Sequence, residues 1–269
     1  MGIAAPTTPA IREDHVSAFE LKGRVAVVTG GNGGIGLGMA RGLAAAGATI
    51  VVAGRNRDKS QRAVTELAGL GAEAAAIEVD VADEASVNAL IGATAERWGR
   101  LDILVNNAGM NIRKPLQDLT LAEWRQVLDT NLTSAFLTSR AAYPIMKAQG
   151  GGKIINIGSM MSIFGASFAP AYSASKGGIV QLTKALATAW ARGRIQVNAV
   201  LPGWIDTELT VQARRQVPGL HDSVLARTPA GRWGIGADLA GIAVFLAGGA
   251  SDFVTGTAIP VDGGYSSQG

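Results

Sequence analysis

The sequence predicts an α/β fold in which helices cover both faces of one doubly wound, parallel, seven-stranded sheet. Three observations support this fold class. Short runs rich in β-branched residues alternate with longer Ala- and Leu-rich segments of helical period. Most of the short runs are almost continuously apolar, which is typical of strands buried on both faces. A chain of 269 residues that is 48% hydrophobic suits a single domain of this kind.

The predicted elements alternate along the chain. Strands are expected at residues 24–29, 49–53, 74–79, 102–106, 153–158, 195–200 and 257–261. Helices are expected at residues 36–46, 57–69, 83–98, 120–148, 171–192 and 237–248. This alternation implies right-handed crossovers between parallel strands. Residues 1–20 carry Pro, Thr and charged residues but no apolar core segment. We therefore predict an N-terminal arm over 1–20, unlike a signal peptide, and one domain over 21–269.

Composition excludes several classes of function. The formal net charge is only +3, and no run of five or more Lys or Arg occurs, so a nucleic-acid partner is not expected. No apolar stretch is long enough to predict a membrane span. With no cysteine and two histidines, we expect no metal site of the usual kind. A cysteine-free chain is compatible with a reducing cytoplasm, where we expect this protein.

A glycine-rich segment, TGGNGGIGLG at residues 29–38, lies directly between the first strand and the first helix. A flexible linker would be the alternative, but linkers separate domains. In this position glycines allow a tight turn and a close backbone approach to a pyrophosphate, whose charge meets the N–H groups of the helix N-terminus. The glycines fit two patterns: G-x-G-x-x-G through Gly31, Gly33 and Gly36, or G-x-x-x-G-x-G through Gly30, Gly34 and Gly36.

Two tyrosines are followed four residues later by a lysine: Tyr143 by Lys147, and Tyr172 by Lys176. This spacing places both side chains on one helix face, where a cation can lower the pKa of the phenol and suit it to proton transfer. Ligands of doubly wound sheets bind at the carboxyl ends of the strands. Tyr172 opens the helix that follows a strand, whereas Tyr143 lies late in the preceding helix. We therefore predict Tyr172 as the proton donor and Tyr143 as structural.

Ser159 ends the strand KIINIGS, so its hydroxyl can meet a substrate oxygen at the same edge. A serine at the end of a strand is also a common cap, and Ser162 is a nearby alternative. The Tyr172–Lys176 pair downstream favours the catalytic interpretation.

Four motifs, in order, resemble the short-chain dehydrogenase/reductase family, and the resemblance covers essentially residues 21–265. TGGNGGIG resembles its TGxxxGIG loop, and NNAG at 106–109 its fourth-strand motif. YSASK at 172–176 resembles its YxASK motif, and PGWIDT at 202–207 its PGxxxT segment. The resemblance favours the glycine register through Gly30, Gly34 and Gly36 and implies a Rossmann fold.

The resemblance also implies a catalytic tetrad and a dinucleotide site. The tetrad is Asn131, Ser159, Tyr172 and Lys176, in which Asn131 holds a water that links Lys176 to solvent. The implied cofactor-binding residues are Gly30, Asn32, Gly34, Ile35, Gly36, Asp80, Val81, Asn107, Gly109, Tyr172, Lys176, Pro202, Gly203, Ile205 and Thr207. Within this set Asp80 and Val81 would contact the adenine, and Thr207 would lie near the nicotinamide carboxamide.

The choice of dinucleotide depends on the residues after the second strand. An acidic residue there would bind the ribose and repel a 2′-phosphate, but the segment reads GRNR at 54–57. Arg55 can pair with a phosphate through a bidentate contact, so Arg55 joins the predicted cofactor site and NADP is preferred over NAD. Alternatively, Arg55 is a surface charge. Arg57 either assists or starts the next helix in solvent. The glycine loop has no basic residue of its own, unlike many NADP-dependent relatives.

Residues 204–232 correspond to the segment that covers the substrate in this family. The charged residues Arg113, Lys114, Arg214, Arg215 and His221 could either meet an anionic or polyhydroxylated substrate or be solvated. Met160, Met161, Phe164 and Trp204 could supply apolar walls or belong to the core.

Several blocks, including GGKIINIGSMMSIFG and TPAGRWG, resemble the gluconate and deoxygluconate dehydrogenase branch, although members of that branch are often NAD-dependent. We expect an NADP-preferring oxidoreductase that transfers a hydride to or from a secondary alcohol or ketone, such as a sugar or sugar acid. A 3-oxoacyl-carrier reductase, a broad carbonyl reductase and a non-catalytic dinucleotide sensor are the alternatives. The C-terminal VDGGYSSQG resembles a family interface segment and implies a homotetramer.

Overall fold

The computed structural model describes residues 17–268 and contains one parallel sheet with the strand order β3-β2-β1-β4-β5-β6-β7. The strands are β1 (Val25–Thr29), β2 (Thr49–Ala53), β3 (Ala74–Ile77), β4 (Ile103–Asn106), β5 (Gly152–Ile157), β6 (Ile195–Pro202) and β7 (Ala258–Val261). After β3 the chain returns to place β4 beside β1. The predicted doubly wound, seven-stranded sheet is confirmed, and its order reverses between β1 and β4.

Nine helices are resolved in the described range: α1 (Gly34–Ala45), α2 (Arg57–Gly69), α3 (Glu84–Trp98), α4 (Leu121–Leu128), α5 (Ser134–Ala148), α6 (Pro170–Trp190), α7 (Glu208–Gln216), α8 (Leu220–Arg227) and α9 (Ala240–Ala247). The sheet separates two apolar layers. Side chains of α1, α2 and α9 pack on one face and those of α3, α5 and α6 on the other. Along β1, Ala26 and Val28 face the first layer and Val25 and Val27 the second, the alternation expected of a strand.

The helix predicted over 120–148 is divided. A capping box of Thr120 and Glu123 starts α4, and a π-helical turn over Asp129–Thr133 separates it from α5. The apolar period continues across this turn, so periodicity does not reveal it. Single π-helical turns frequently mark functional sites. This one carries Asn131.

The segment 204–232 contains two helices, α7 and α8, for which the sequence predicted no boundaries. They bury Ala213, Leu220 and Val224 with Trp233 in a small apolar cluster of their own. Their apolar residues therefore pack in this small cluster and not in the two apolar layers on the sheet.

Part of the arm predicted over 1–20 lies outside the described residues, namely 1–16. Ser17–Phe19 form a 3-10 turn, and Leu21 is fully buried in the core. Within residues 17–268, none of the helices combines the length and the hydropathy that a membrane crossing requires.

Candidate active site

A cavity of about 340 Å³ opens at the carboxyl ends of the strands, beside the point where the strand order reverses. This is the position at which open α/β sheets bind ligands. The predicted site residues that line it are Gly30, Asn32, Gly34, Ile35, Asn107, Gly109, Ser159, Tyr172, Lys176, Pro202, Gly203, Ile205 and Thr207.

The glycine loop forms a cradle of backbone at one end of the cavity. Gly30 and Gly34 have φ values of +63° and +52°, a region that favours glycine. A Cβ at Gly36 would lie 2.4 Å from the carbonyl oxygen of Gly30. Asn107 donates from Nδ2 to the carbonyls of Thr29 and Gly30, at 3.0 and 3.1 Å, and so ties the loop to the end of β4. These features fit the register through Gly30, Gly34 and Gly36.

Four of the predicted cofactor residues lie outside the cavity lining. Gly36 is buried beneath the loop, and Val81 lies in the apolar core. Asp80 is exposed and accepts a hydrogen bond from the amide of Ala82 at 3.0 Å. Arg55 is exposed just beyond β2. Their roles toward a dinucleotide stay predictions.

Arg57, the first residue of α2, pairs with Glu78 at 2.8 Å, and its side chain is largely exposed. This position matches the interpretation of Arg57 as a solvated residue at the start of a helix.

Tyr172 and Lys176 lie one turn apart at the start of α6, with Pro170 as the first helical residue. Lys176 is 4% exposed, its Nζ lies 5.7 Å from the centre of the Tyr172 ring, and it donates to the Ile157 carbonyl at 2.7 Å. Burial lowers the pKa of Lys176 to about 8. Tyr143 instead stacks on Trp190, with ring centres 4.7 Å apart, in the second core layer.

The electrostatics of Tyr172 differ from the sequence expectation. Burial raises the pKa of this phenol, while the neighbouring Ser159 hydroxyl and the Arg113 guanidinium act in the opposite direction. The expectation of a lowered pKa is therefore wrong for the protein alone, because desolvation outweighs the nearby positive charge. At neutral pH Tyr172 carries its proton and is able to donate it.

Ser159 and Ser162 have different partners. Ser159 caps a short 3-10 turn by accepting from the amide of Met161 at 3.1 Å, and it also lines the cavity. Both interpretations of Ser159, a cap and a site residue, therefore hold for its position. Ser162 donates to the Lys176 carbonyl at 2.7 Å and accepts from the Ser159 amide at 3.2 Å. The Ser162 hydroxyl is thus used in holding β5 to α6.

Asn131 lies behind the cavity wall and is 2% exposed. Its Oδ1 accepts from the Met110 amide at 2.8 Å, and its Nδ2 donates to the Met110 carbonyl at 2.9 Å and to the Ser175 hydroxyl at 3.0 Å. A Cβ on Gly109 would lie 3.3 Å from Asn131 Oδ1 and 3.7 Å from Lys176 Nζ. Asn131 and Lys176 are therefore neighbours across Gly109, although the predicted water between them is untested.

Of the five charged residues considered for the substrate, only Arg113 lines the cavity. This partly buried guanidinium donates to Gln216 Oε1 at 3.1 Å and to the Leu209 carbonyl at 3.2 Å, so it joins the segment after β4 to α7. Burial lowers the pKa of Arg113, and the Tyr172 phenol opposes this shift.

The remaining candidates are engaged elsewhere. Lys114 pairs with Glu123 at 2.5 Å, and Arg214 pairs with Asp206 at 2.5 Å. Arg215 is exposed, and His221 stacks on Trp233 with ring centres 6.0 Å apart. Of the apolar candidates, Met160, Met161 and Trp204 line the cavity, whereas Phe164 packs against Tyr265.

Sequence reasoning missed several lining residues, among them Lys59, Asn111, Phe168, Glu208 and Leu209. Asn111 could have been suspected from its place just after the NNAG motif. Lys59 and Glu208 belong to no motif, and only packing brings their helices together.

Comparison with known proteins agrees with this geometry. The family model described as enoyl-(acyl carrier protein) reductase matches residues 30–266. The chain belongs to the short-chain dehydrogenase/reductase family. The predictions of this family and of an oxidoreductase with a Rossmann fold are thereby confirmed.

Individual members of the family resemble the chain over most of its length. A 2-dehydro-3-deoxy-D-gluconate 5-dehydrogenase of Formosa agariphila is 43% identical over 93% of this chain and 95% of its own. A galactitol 2-dehydrogenase of Cereibacter sphaeroides is 41% identical over 94% and 99%. The crystal structure of a gluconate 5-dehydrogenase from Burkholderia cenocepacia, in complex with NADP and tartrate, has a TM-score of 0.90 and 42% identity, covering 94% and 99%.

Proposed function

We propose that this protein is an NADP-preferring dehydrogenase/reductase that interconverts a secondary alcohol and a ketone on a sugar acid. The observation that carries the proposal is the placement of the Arg113 guanidinium in the same cavity as Ser159, Tyr172 and Lys176. Proton-transfer groups alone would serve any ketone, whereas a fixed cation favours a substrate with a carboxylate.

The cavity fits a dinucleotide. A Cβ at Gly30 or Gly36 would collide with Asn107 Nδ2, at 2.9 and 2.4 Å, so these glycines allow the loop to pack against the end of β4 and to border the cavity with backbone. The N-terminus of α1 offers amide donors for a pyrophosphate. Thr207 lies beside it, since a Cβ at Gly34 would lie 3.0 Å from Cγ2 of Thr207. A bound nicotinamide dinucleotide would supply or accept the hydride.

Residues of this protein carry out the proton transfer. In reduction, Tyr172 donates its hydroxyl proton to the oxygen of the forming alkoxide, and in oxidation its phenolate accepts a proton from the alcohol. Ser159 donates a hydrogen bond to the same oxygen and so stabilises the charge that develops there. Lys176 is protonated below a pKa of about 8, and its positive charge favours the phenolate of Tyr172.

Arg113 provides the preference for an anion. Its contacts with Gln216 and Leu209 use two of the five N–H donors of a guanidinium, and these contacts hold its orientation. The remaining donors can bind a carboxylate through charge-assisted hydrogen bonds. The names of the relatives support this assignment, since two of the three act on sugar acids and the crystallised one was solved with the dicarboxylate tartrate.

The test is a comparison of initial rates on gluconate-type sugar acids, neutral polyols, simple ketones and 3-oxoacyl thioesters, with NADP(H) and NAD(H) in parallel. The Tyr172→Phe variant serves as the blank. We expect Tyr172-dependent turnover that is fastest on sugar acids with NADP(H). Rates confined to polyols, ketones or thioesters would retain the mechanism and reject the substrate, and a preference for NAD would reject the cofactor assignment. Dinucleotide binding without any turnover would favour the sensor.

We further propose a homotetramer, as the family resemblance implies, and a location in the cytoplasm, with which a cysteine-free chain is compatible. Light scattering of the purified full-length chain tests the assembly, and a monomer would contradict it.

A further inference from the structure

Position 33 is a glycine although its backbone conformation does not require one. Its φ of 179° is extended and open to any residue. A Cβ at this position would nevertheless lie 2.9 Å from Cε of Lys59 and 3.0 Å from its Nζ. The missing side chain at Gly33 therefore leaves room for the lysine, which reaches over the glycine loop from the first turn of α2.

Lys59 is the cation of α2 that lines the cavity. Its side chain is 28% exposed, and its Nζ contacts both carboxylate oxygens of Glu208 at 2.8 Å. Glu208 begins α7 and is 83% exposed, so the carboxylate stays hydrated while the lysine stem is packed. Ion pairs with such an exposed partner contribute only about 0–1 kcal/mol, so a more highly charged anion can displace Glu208.

The position of Lys59 relative to β2 indicates which anion displaces Glu208. In doubly wound folds the segment after the second strand lies beside the ribose that carries either a 2′-hydroxyl or a 2′-phosphate. Lys59 follows β2 by six residues, and Asn32 Nδ2 of the glycine loop donates to the Ser60 hydroxyl at 3.0 Å, which joins this part of α2 to the loop. Arg55, by contrast, is exposed and outside the cavity lining.

We propose that Lys59 determines the dinucleotide specificity of this protein by exchanging its partner Glu208 for the 2′-phosphate of NADP. The proposal rests on the dinucleotide site of the proposed function and deepens it. In the free protein Glu208 holds the ammonium over Gly33, and on binding the 2′-phosphate takes its place. Lys59 thereby supplies in space the basic group that the glycine loop lacks in sequence. Glu208 is a competing anion whose removal improves NADP binding.

Direct binding measurements test this assignment without any substrate. The Kd values of NADPH, NADH, adenosine 2′,5′-bisphosphate and 5′-AMP are measured by calorimetry for the wild type, Lys59→Gln, Glu208→Gln, Arg55→Gln and Arg62→Gln. Lys59→Gln should weaken NADPH and adenosine 2′,5′-bisphosphate by about tenfold or more, the usual size of a lost charged hydrogen bond, and change NADH and 5′-AMP by less than about twofold. Glu208→Gln should tighten NADPH by about threefold, because a repelling and competing carboxylate is removed.

Arg62→Gln is the matched control. Arg62 is an exposed residue on the same helix and outside the cavity lining, so this variant removes an equal charge at a neighbouring position. Its Kd values should stay within about twofold of the wild type, since long-range charge effects are screened by salt.

Three results would overturn the proposal. An equal loss for NADPH and NADH in Lys59→Gln would assign the lysine to the pyrophosphate. Unchanged Kd values in that variant, with the loss appearing in Arg55→Gln, would return the role to Arg55. Weaker NADPH binding in Glu208→Gln would show that the carboxylate organises the site. If wild type binds NADPH but oxidises no sugar acid, the proposed substrate fails, while the role of Lys59 is still decided by these Kd values.

Discussion

The two sides of the cavity are held in different ways. On the side that we call the catalytic floor (Asn131, Ser159, Tyr172 and Lys176), the buried polar groups bond mainly to backbone atoms. Lys176 binds the Ile157 carbonyl, and Asn131 binds both backbone groups of Met110. On the side that we call the lid (residues 204–227), helix α7 contacts neighbouring segments through partly exposed side chains, such as Glu208 with Lys59 and Gln216 with Arg113.

This difference separates the residues that carry out the reaction from those that select the substrate and the cofactor. Backbone partners are fixed by the sheet and its crossovers, so the floor groups keep their geometry whatever ligand is present. Exposed ion pairs such as Lys59 with Glu208 are weak, so the charge of a cofactor can replace one partner of the pair. Variants of the floor should therefore change turnover or stability, and variants facing the lid should change binding.

The largest expected effect comes from Tyr172→Phe on the floor. Loss of the proton donor should lower kcat by about a thousandfold, within the usual range for a general acid. The Kd of NADPH and the melting temperature should be almost unchanged, because the hydroxyl is not needed to hold the fold. Steady-state rates together with NADPH titration provide the measurement.

The matched control for this prediction is Tyr143→Phe, which alters the other tyrosine of the same Tyr-x-x-x-Lys spacing. Tyr143 stacks on Trp190 in the core and lies outside the cavity lining. The activity of the Tyr143→Phe variant should therefore match that of the wild type. Comparable losses in both variants would contradict the assignment of Tyr172.

Arg113→Gln should show the next largest effect, on the lid side of the comparison. We expect kcat/KM for sugar acids to fall by about tenfold to a hundredfold through KM, as for a lost charged hydrogen bond. Neutral polyols should change by less than about threefold, because they bring no carboxylate to the guanidinium. The measurement is kcat/KM for both substrate classes.

Two controls separate charge from lid position in this experiment. Lys114→Gln removes the adjacent cation, which pairs with Glu123, and should have little effect. Gln216→Ala removes a lid contact of Arg113 and keeps the charge. An equal loss on acids and polyols in Arg113→Gln, reproduced by Gln216→Ala, would mean that Arg113 only fastens the lid.

The smallest expected effect is one on the free energy of unfolding: Lys176→Met, which also removes a residue of the tetrad, tests the cost of the buried charge on the floor. Burial lowers the pKa of Lys176 from 10.5 to about 8. Below pH 8 Lys176 is therefore charged in both states, but the folded protein binds its proton more weakly than the unfolded chain does. That difference corresponds to about 3 kcal/mol, from which about 1 kcal/mol is subtracted for the lost hydrogen bond to Ile157. The variant should therefore be more stable than wild type by about 2 kcal/mol at pH 7.

The pH dependence has a defined sign. The unfolded chain binds more protons than the folded one between pH 8 and 10.5, so wild-type stability rises by about 3 kcal/mol across this window. The advantage of Lys176→Met is therefore lost and gives way to a deficit of up to about 1 kcal/mol, from the missing hydrogen bond to Ile157. Urea unfolding at pH 7, 9 and 10.5 measures this trend. Lys184→Met, an exposed position on α6, should show no comparable trend. A Lys176→Met variant that is less stable at every pH would contradict the prediction.

Much of the fold was predictable because its signals are local. Buried parallel strands are short apolar runs, and each of the seven was expected within a few residues of its observed position. The π-helical turn at Asp129–Thr133 was not predictable, because it preserves the apolar pattern on both sides. The helices α7 and α8 were not predictable either, because their apolar residues pack together around Trp233 and not against the sheet.

The sequence by itself determined the sheet and the Tyr172–Lys176 pair, and the family resemblance of the loop indicated the glycine register. Each depends on residues that are close along the chain or on the rule that parallel strands end at one edge. Only the tertiary structure decided which of several charged residues face the cavity and that burial raises the pKa of Tyr172. It also decided that Lys59 meets Glu208, 149 residues away, and that Arg113 meets Gln216, 103 residues away. Contacts over such separations arise from helix packing, which leaves no local pattern in the sequence.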